Sequence, residues 1–341
     1  MIKEITSKND WTAVLREMDS YDFYHTYDYH NISCNVDCEK PLLLVYTNND
    51  TIIALPLLLR PIPDTEYYDF TSVYGYAGPL SKNIVLDFDK SNFKNELINY
   101  FKSKNIVSVF SRLHPYLEEQ TCILSNFGDI ISLGRVVNID VTLPLDESRR
   151  IYQKSLKNQV NKLRKTCDIR MAKTKEEVLA FIDIYHENMT RLGADKDYFF
   201  ETDYFLNFLE QSDFKTEIML IEELETGNII AGSMFVKTNG FVQFHLSGTR
   251  TDYLRLRPSK LFLDEMRIEA TNKNFKYFNL GGGFGSNEDS LFEFKSAFSK
   301  DFRKFKIWKY IVNQKIYDNL VSKNNAANNT AFFPLYRAIR I

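Results

Sequence analysis

The same order of elements recurs twice along this chain: an amphipathic helix, an apolar hairpin, a second helix and a short strand rich in β-branched or aromatic residues. In the first pass, the apolar runs Leu42–Thr47 and Ile52–Arg60 are joined by Asn48-Asn49-Asp50, which reads as a hairpin. A helix over Trp11–Met18 precedes it, Phe93–Lys104 has helical spacing, and Ile106–Ser111 is strand-like. Val73–Leu80 holds a turn. After the Gly128–Gly134 stretch, Val136–Leu143 alternates like a strand, and Pro144 stops it because proline brings no N–H to a ladder.

The second pass predicts helix Arg149–Lys165, strand Ile169–Ala172, helices Lys175–Arg191 and Thr202–Gln211, and the hairpin Glu217–Glu222 with Ile229–Lys237. Strand Phe241–Gly248, helix Pro258–Asn272, strand Tyr277–Leu280, a helix near Leu291–Ala297 and strand Arg303–Val312 follow. Two such cycles in 341 residues exceed one ordinary core, so two α/β modules are expected, dividing near residues 140–150. Asn324–Thr330 reads as a polar connector.

The run Tyr277-Phe278-Asn279-Leu280-Gly281-Gly282-Gly283-Phe284-Gly285 opens an apolar strand into a glycine cluster. Asp289-Ser290-Leu291-Phe292-Glu293-Phe294-Lys295 follows, with one lysine among aromatics. Backbone amides at such a turn can face an anion or a developing oxyanion, because no Cβ blocks the approach. The alternative is a tight turn between two core strands. Lys295 beside Phe292, Phe294 and Phe298 favours a site over a mere turn.

This stretch resembles the signature of the Fem-type transferases, which build peptidoglycan interpeptide bridges. Ser155–Lys165 is similar to the basic helix that opens that family's second domain, and Tyr74-Gly75-Tyr76-Ala77-Gly78-Pro79-Leu80 to the Tyr-x-x-x-Gly-Pro turn of its first. The resemblance implies two tandem acyl-CoA N-acyltransferase (GNAT) modules with mixed, mainly antiparallel sheets flanked by helices. Their expected bounds are 1–147 and 148–312, with 313–341 returning to complete the first. It implies that Lys295 stabilises the charge on a carbonyl oxygen as an amine is acylated. It further implies that basic residues hold the acceptor's diphosphate and that substrate groups can take the amine proton.

Further candidates follow from setting that resemblance beside the residues themselves. A GNAT pyrophosphate loop would fall at Arg255-Leu256-Arg257-Pro258-Ser259-Lys260, where Pro258 and Lys260 stand in the glycine positions. Proline lacks an N–H, so this loop is not expected to hold coenzyme A in the usual way. An aminoacyl-tRNA donor is compatible with that change; an acyl thioester such as acyl-CoA is the alternative, and no other cofactor is implied. Lys154, Lys157, Asn161 and Arg164 share a helix face, and with Arg250, Arg255, Arg257 and Lys260 could clamp phosphate. A solvated charged face is the competing reading. His245 is a possible general base, Asp289 lies close to the lysine, and Tyr253 could donate a hydrogen bond.

The composition limits the function. Hydrophobic content of 44%, charged content of 26% and a net charge of −2 fit a globular protein and argue against a dedicated nucleic-acid binder. Cys34 and Cys38 have no matching second pair, so no metal site is expected and the thiols should be reduced. There is no Gly-x-Ser-x-Gly elbow, Walker loop or His-Glu-x-x-His pair. A polar N-terminus and the lack of a long apolar run predict a cytoplasmic protein, at most peripheral to the inner membrane face. The activity that the resemblance implies is amide formation on an amino group of a cell-envelope precursor, led by aminoacyl transfer from tRNA to a peptidoglycan precursor. N-acylation of a nucleotide- or lipid-linked amino sugar for capsule or O-antigen is the alternative. A non-catalytic module binding a nucleotide-sugar or tRNA is the third.

Overall fold

The computed structural model describes residues 1–34, 38–84, 88–324 and 332–338. The chain forms two compact units, Met1–Leu133 with Lys304–Ile341, and Gly134–Arg303. The first unit begins with β1 (Lys3–Ile5), α1 (Lys8–Glu17), α2 (Tyr27–Ser33), β2 (Lys40–Asn48) and β3 (Thr51–Pro61). It continues through β4 (Tyr68–Thr71), β5 (Leu80–Lys82), α3 (Ser91–Ser103), β6 (Ile106–Leu113), α4 (Glu119–Leu124) and the start of β7 (Asp129–Asp140). The second unit holds the rest of β7, then α5 (Leu145–Arg150), α6 (Lys154–Thr166), β8 (Cys167–Met171), α7 (Lys175–Leu192) and α8 (Thr202–Glu210). β9 (Lys215–Glu223), β10 (Ile229–Thr238), β11 (Phe241–Thr249), α9 (Ser259–Asn272), β12 (Tyr277–Asn279) and α10 (Ser290–Ser296) follow. β13 (Asp301–Ile311) carries the chain back to the first unit, and α11 (Gln314–Asn324) packs there.

In the first unit the strands lie in the order β1-β2-β3-β4-β6-β13, with β5 on β3. The β2–β3 hairpin pairs from Lys40↔Leu59 to Asn48↔Thr51. Its turn residue Asn49 takes a positive φ of 51°, which asparagine tolerates better than most residues. Leu42, Leu44, Leu55, Phe70 and Trp308 pack with Phe93, Leu97 and Phe101 of α3 into one core. The end of the chain is fastened by a buried carboxylate. Asp69 accepts from Arg60 (2.8 Å), from the Tyr336 hydroxyl (2.9 Å) and from Arg337 (2.6 Å).

In the second unit the order is β7-β12-β11-β10-β9-β8. All neighbours are antiparallel except β11 and β12. One face packs Val242, Phe278 and Ile139 against Leu156, Val160 and Leu163 of α6 and Leu261, Phe262 and Met266 of α9. The opposite face meets α7, whose Phe181 ring lies where a Cβ on Gly232 would stand. A capping box at Thr174 and Glu177 starts α7, and Gly193 in the left-handed region ends it.

Two elements differ from expectation. Arg149–Lys165 is not one helix: α5 ends at Arg150 and α6 begins at Lys154, because Tyr152 between them turns inward to the core. The boundary between units falls within β7, which runs over Asp129–Asp140 where a strand over Val136–Leu143 was expected. The polar connector expected over Asn324–Thr330 lies, beyond Asn324, outside the described residues.

Candidate functional site

β11 and β12 run parallel, but they pair over only three positions, Phe241↔Tyr277, Val242↔Phe278 and Gln243↔Asn279. Beyond these, β11 continues to Thr249, while the other chain keeps to β7 through Leu280 N–H to Val137 O (2.9 Å) and Val137 N–H to Gly281 O (3.1 Å). The two strands therefore part at the start of the glycine cluster, and from Phe244 onward β11 has no ladder partner on β12.

Lys295 stands at this point of parting. Its side chain comes from α10, and Nζ donates to the Gly282 carbonyl at 2.6 Å. Gly281, with φ 74°, runs beside it, and a Cβ there would stand 3.3 Å from Nζ. The residue is only 7% exposed. Burial pulls the ammonium's pKa down from its ordinary value to about 8, and the charge of Asp289 opposes that fall. An ammonium has three N–H donors, and among the described residues one acceptor, Gly282 O, is present. Two donors are left for a substrate.

Asp289 builds the site. Its Oδ1 accepts from the Phe292 N–H and its Oδ2 from the Phe284 N–H, both at 3.0 Å, so it caps α10 and ties the glycine turn to it. These amides hold its carboxyl below the ordinary range, leaving a weakly basic group. The Phe284 amide is thereby occupied, and the Gly281 N–H donates to Asn279 Oδ1 at 3.0 Å. The amides of Gly282 and Gly283 donate to no partner among the described residues. The turn allows no bulk: a Cβ on Gly282 would stand 2.7 Å from the Arg135 carbonyl, and one on Gly283 would meet the Asn287 carbonyl and Asp289. Arg135 and Glu288 brace it with a bidentate pair at 2.7 and 2.6 Å.

His245 turns to α8. Its Nε2 meets the Tyr204 hydroxyl at 3.1 Å and its ring stacks on Phe208, both of α8. Burial lowers its pKa to about 4. Tyr253 receives Asn228 Nδ2 at 3.2 Å on the wall of a cleft of about 620 Å³, which Glu187, Arg250 and Asp252 also line.

The basic cluster separates into two groups. Asp264, fully buried on α9, accepts from Arg149 (3.1 Å), Arg164 (2.9 Å), Arg267 (3.0 Å) and the Tyr152 hydroxyl (3.2 Å). Arg164 also pairs with Glu265 at 2.8 Å, and Lys157 donates to the Arg150 carbonyl at 3.0 Å. Lys260 is buried against Gln159, and Arg250 is paired with Asp183 and Glu187. Arg255 and Arg257 are exposed and have no ion-pair partner among the described residues. They stand just before α9, where Pro258 has no N–H to offer and the Lys260 N–H donates to Arg257 O at 3.3 Å. Sequence could show the clustered charges but not Asp264, which sits 100 residues or more from Arg149 and Arg164.

All four cysteines are free, and no group of three or more His, Cys, Asp or Glu among the described residues is placed to hold a metal ion. No helix among them is long and apolar enough to cross a membrane.

Residues 149–296 match the acetyltransferase (GNAT) domain family. No curated protein matches the chain in sequence. Among solved structures, FemX is similar with a TM-score of 0.71 at 12% identity, over 93% of this chain and 99% of that one. The C-terminal domain of a putative lysylphosphatidylglycerol synthetase from Agrobacterium fabrum is similar at 0.54 and 12% identity, over 93% and 95%. A tandem GNAT protein from the clavulanic acid biosynthesis pathway is similar at 0.51 and 9%, over 92% and 99%. The split parallel pair and the glycine turn thus lie within the stretch that matches the acetyltransferase (GNAT) domain family, in a chain whose fold is similar to that of FemX and of a tandem GNAT protein.

Proposed function

We propose that this protein is an N-acyltransferase that forms an amide on an amino group of a cell-envelope precursor, with aminoacyl-tRNA as donor and a peptidoglycan precursor as acceptor. The observation that carries the reading is Lys295, a buried ammonium with spare donors at the glycine turn where β11 and β12 part. The acceptor's amine attacks the donor's ester carbonyl, forming a C–N bond while the carbonyl oxygen becomes negative. Lys295 Nζ donates to that oxygen, with the amides of Gly282 and Gly283 beside it. One well-placed donor of this kind contributes about 3 kcal/mol to the transition state. The C–O bond then breaks, and the amine's proton leaves with the departing hydroxyl. His245, packed on α8, and Asp289, spent on two amides, are left out of the proton transfer. Arg255 and Arg257, exposed just before α9, would meet an anionic part of either substrate. The work would be done in the cytoplasm, at the inner membrane face if the acceptor is lipid-linked.

A second reading is supported by the match of residues 149–296 to an acetyltransferase domain: N-acylation of an amino sugar from an acyl thioester, with a C–S bond breaking instead. The occupied Lys260 amide and the missing one at Pro258 argue against the usual pyrophosphate cradle. Mass spectrometry of amino-bearing peptidoglycan precursors and amino-sugar nucleotides, incubated with charged tRNA or with acyl-CoA, separates the two. A mass gain lost in Lys295→Met supports the proposal. A non-catalytic binding module predicts no mass change with either donor, and a Lys295→Met variant of full activity overturns the role of the lysine.

A further inference from the structure

Asn279 ends β12 and is almost wholly buried. Its two polar atoms are both used. Nδ2 donates to Gln243 Oε1 at 2.8 Å, across the last register pair that β11 and β12 share. Oδ1 accepts from the Gly281 N–H at 3.0 Å, a side chain to main chain bond two residues on that folds the backbone into a turn. One side chain therefore grips both the strand that continues and the turn that leaves. On its other side, Asn279 is in register with Asn138, whose Nδ2 donates to Asp301 at 2.7 Å. The glycine that Asn279 holds is the one beside Nζ, and the next residue supplies the carbonyl that Nζ donates to.

We infer that Asn279 is a positioning residue: by joining Gln243 to the Gly281 amide it fixes the point where β11 and β12 part, and so holds the Gly282 carbonyl and Lys295 Nζ in line with the opening. The inference rests on the reading of Lys295 as the oxyanion donor, but its structural content can be measured without turnover. If the bond to Gly281 is lost, the turn relaxes, the Gly282 carbonyl leaves Nζ and water reaches the ammonium.

The test is a titration of Lys295 by NMR on protein carrying isotope-labelled lysine side chains, with the resonance assigned by its absence in Lys295→Met. Asn279→Leu keeps bulk and removes both hydrogen bonds. Asn279→Thr keeps a hydroxyl able to accept from the amide two residues on. The wild-type resonance is expected to titrate near 8. In Asn279→Leu it should move up by about one unit or more, towards the ordinary lysine value of about 10.4. Asn279→Thr should recover at least half of that shift. Should Asn279→Leu not fold, Gln243→Met, which removes the acceptor for Nδ2, is expected to move the resonance in the same direction. An unmoved titration in the folded variants, or equal shifts in the leucine and threonine variants, overturns the inference. No activity enters these readings, so they stand apart from the outcome of the acyl-transfer screen.

Discussion

Asp264→Ala is expected to destabilise the second unit strongly. The carboxylate is fully buried and is the counter-charge for three guanidinium groups. Two of them would lose little. The side chains of Arg149 and Arg164 are 29% and 35% exposed, and Arg164 keeps Glu265. Arg267 is different. It is 1% exposed, and its remaining partners are neutral: the Tyr152 hydroxyl, the Leu145 carbonyl and Ser148 Oγ. Removing one partner of such a buried pair costs about 3–5 kcal/mol, because the other charge stays buried without compensation. For a unit of this size, each kcal/mol shifts Tm by about 2–4 °C, so a fall of about 6–20 °C is expected by calorimetry at pH 7. The double variant Asp264→Leu/Arg267→Met removes both charges and should recover most of the loss. A fall of less than about 2 °C in the single variant, or a double variant no better than the single, refutes the reasoning. The pH dependence has a definite sign. Burial works to raise the Asp264 carboxyl, but the hydrogen bond from Arg164 and the charge of Arg267 pull it below the ordinary range. Its contribution is therefore fully present above the unfolded value of about 3.9 and is lost as pH falls through the folded value.

Lys295→Met is expected to lower kcat by about a hundredfold or more while leaving acceptor affinity, measured by calorimetry, nearly unchanged. If the protonated ammonium is the working form, turnover in the wild type should fall as pH rises through about 8, since burial has lowered the lysine that far against the pull of Asp289; a flat profile from pH 7 to 9.5 contradicts this. Gly282→Ala should impair turnover without unfolding the protein, because the new Cβ presses on the Arg135 carbonyl and the turn must shift; near-ultraviolet circular dichroism reports the retained fold. Acetyl-CoA should give no saturable thermal shift, and a clear one would favour the thioester reading.

Most long elements of both units are legible, the helices from their 3.6-residue spacing and the strands from apolar runs bounded by turns; α11 is an exception. Leu42–Thr47 and Ile52–Arg60 are continuous apolar runs joined by a turn, as strands buried along most of their length should be, and β9, β10, β11, α7 and α9 lie within a residue or two of their expected bounds. β1, β4, β5 and α4 were not read, since three to six residues hold too little pattern to stand out. Tyr152 broke a run whose helix propensity was unbroken, because tertiary burial outweighs local preference. At the site, the lysine and glycines were visible as a motif, but their geometry was not. Sequence adjacency put Asp289 beside the lysine as a candidate, whereas its spacing to Phe292 is that of an N-cap. Charge clustering suggested one clamp, whereas burial assigned Arg149 and Arg164 to Asp264 and left Arg255 and Arg257 in solvent. Asn279 gave no signal beyond its place at a strand end.

The first unit is assembled from the two ends of the chain, and this bears on how a ribosome would deliver it. Residues Gly134–Arg303 emerge as one continuous segment and can close their core while synthesis is still under way. The opening 133 residues cannot. Until β13 arrives, β6 has an unpaired edge and the core beneath α3 lacks Trp308. The N-terminal part of the chain is thus the last to be completed, and the vulnerable nascent species is one with a finished second unit and an open first.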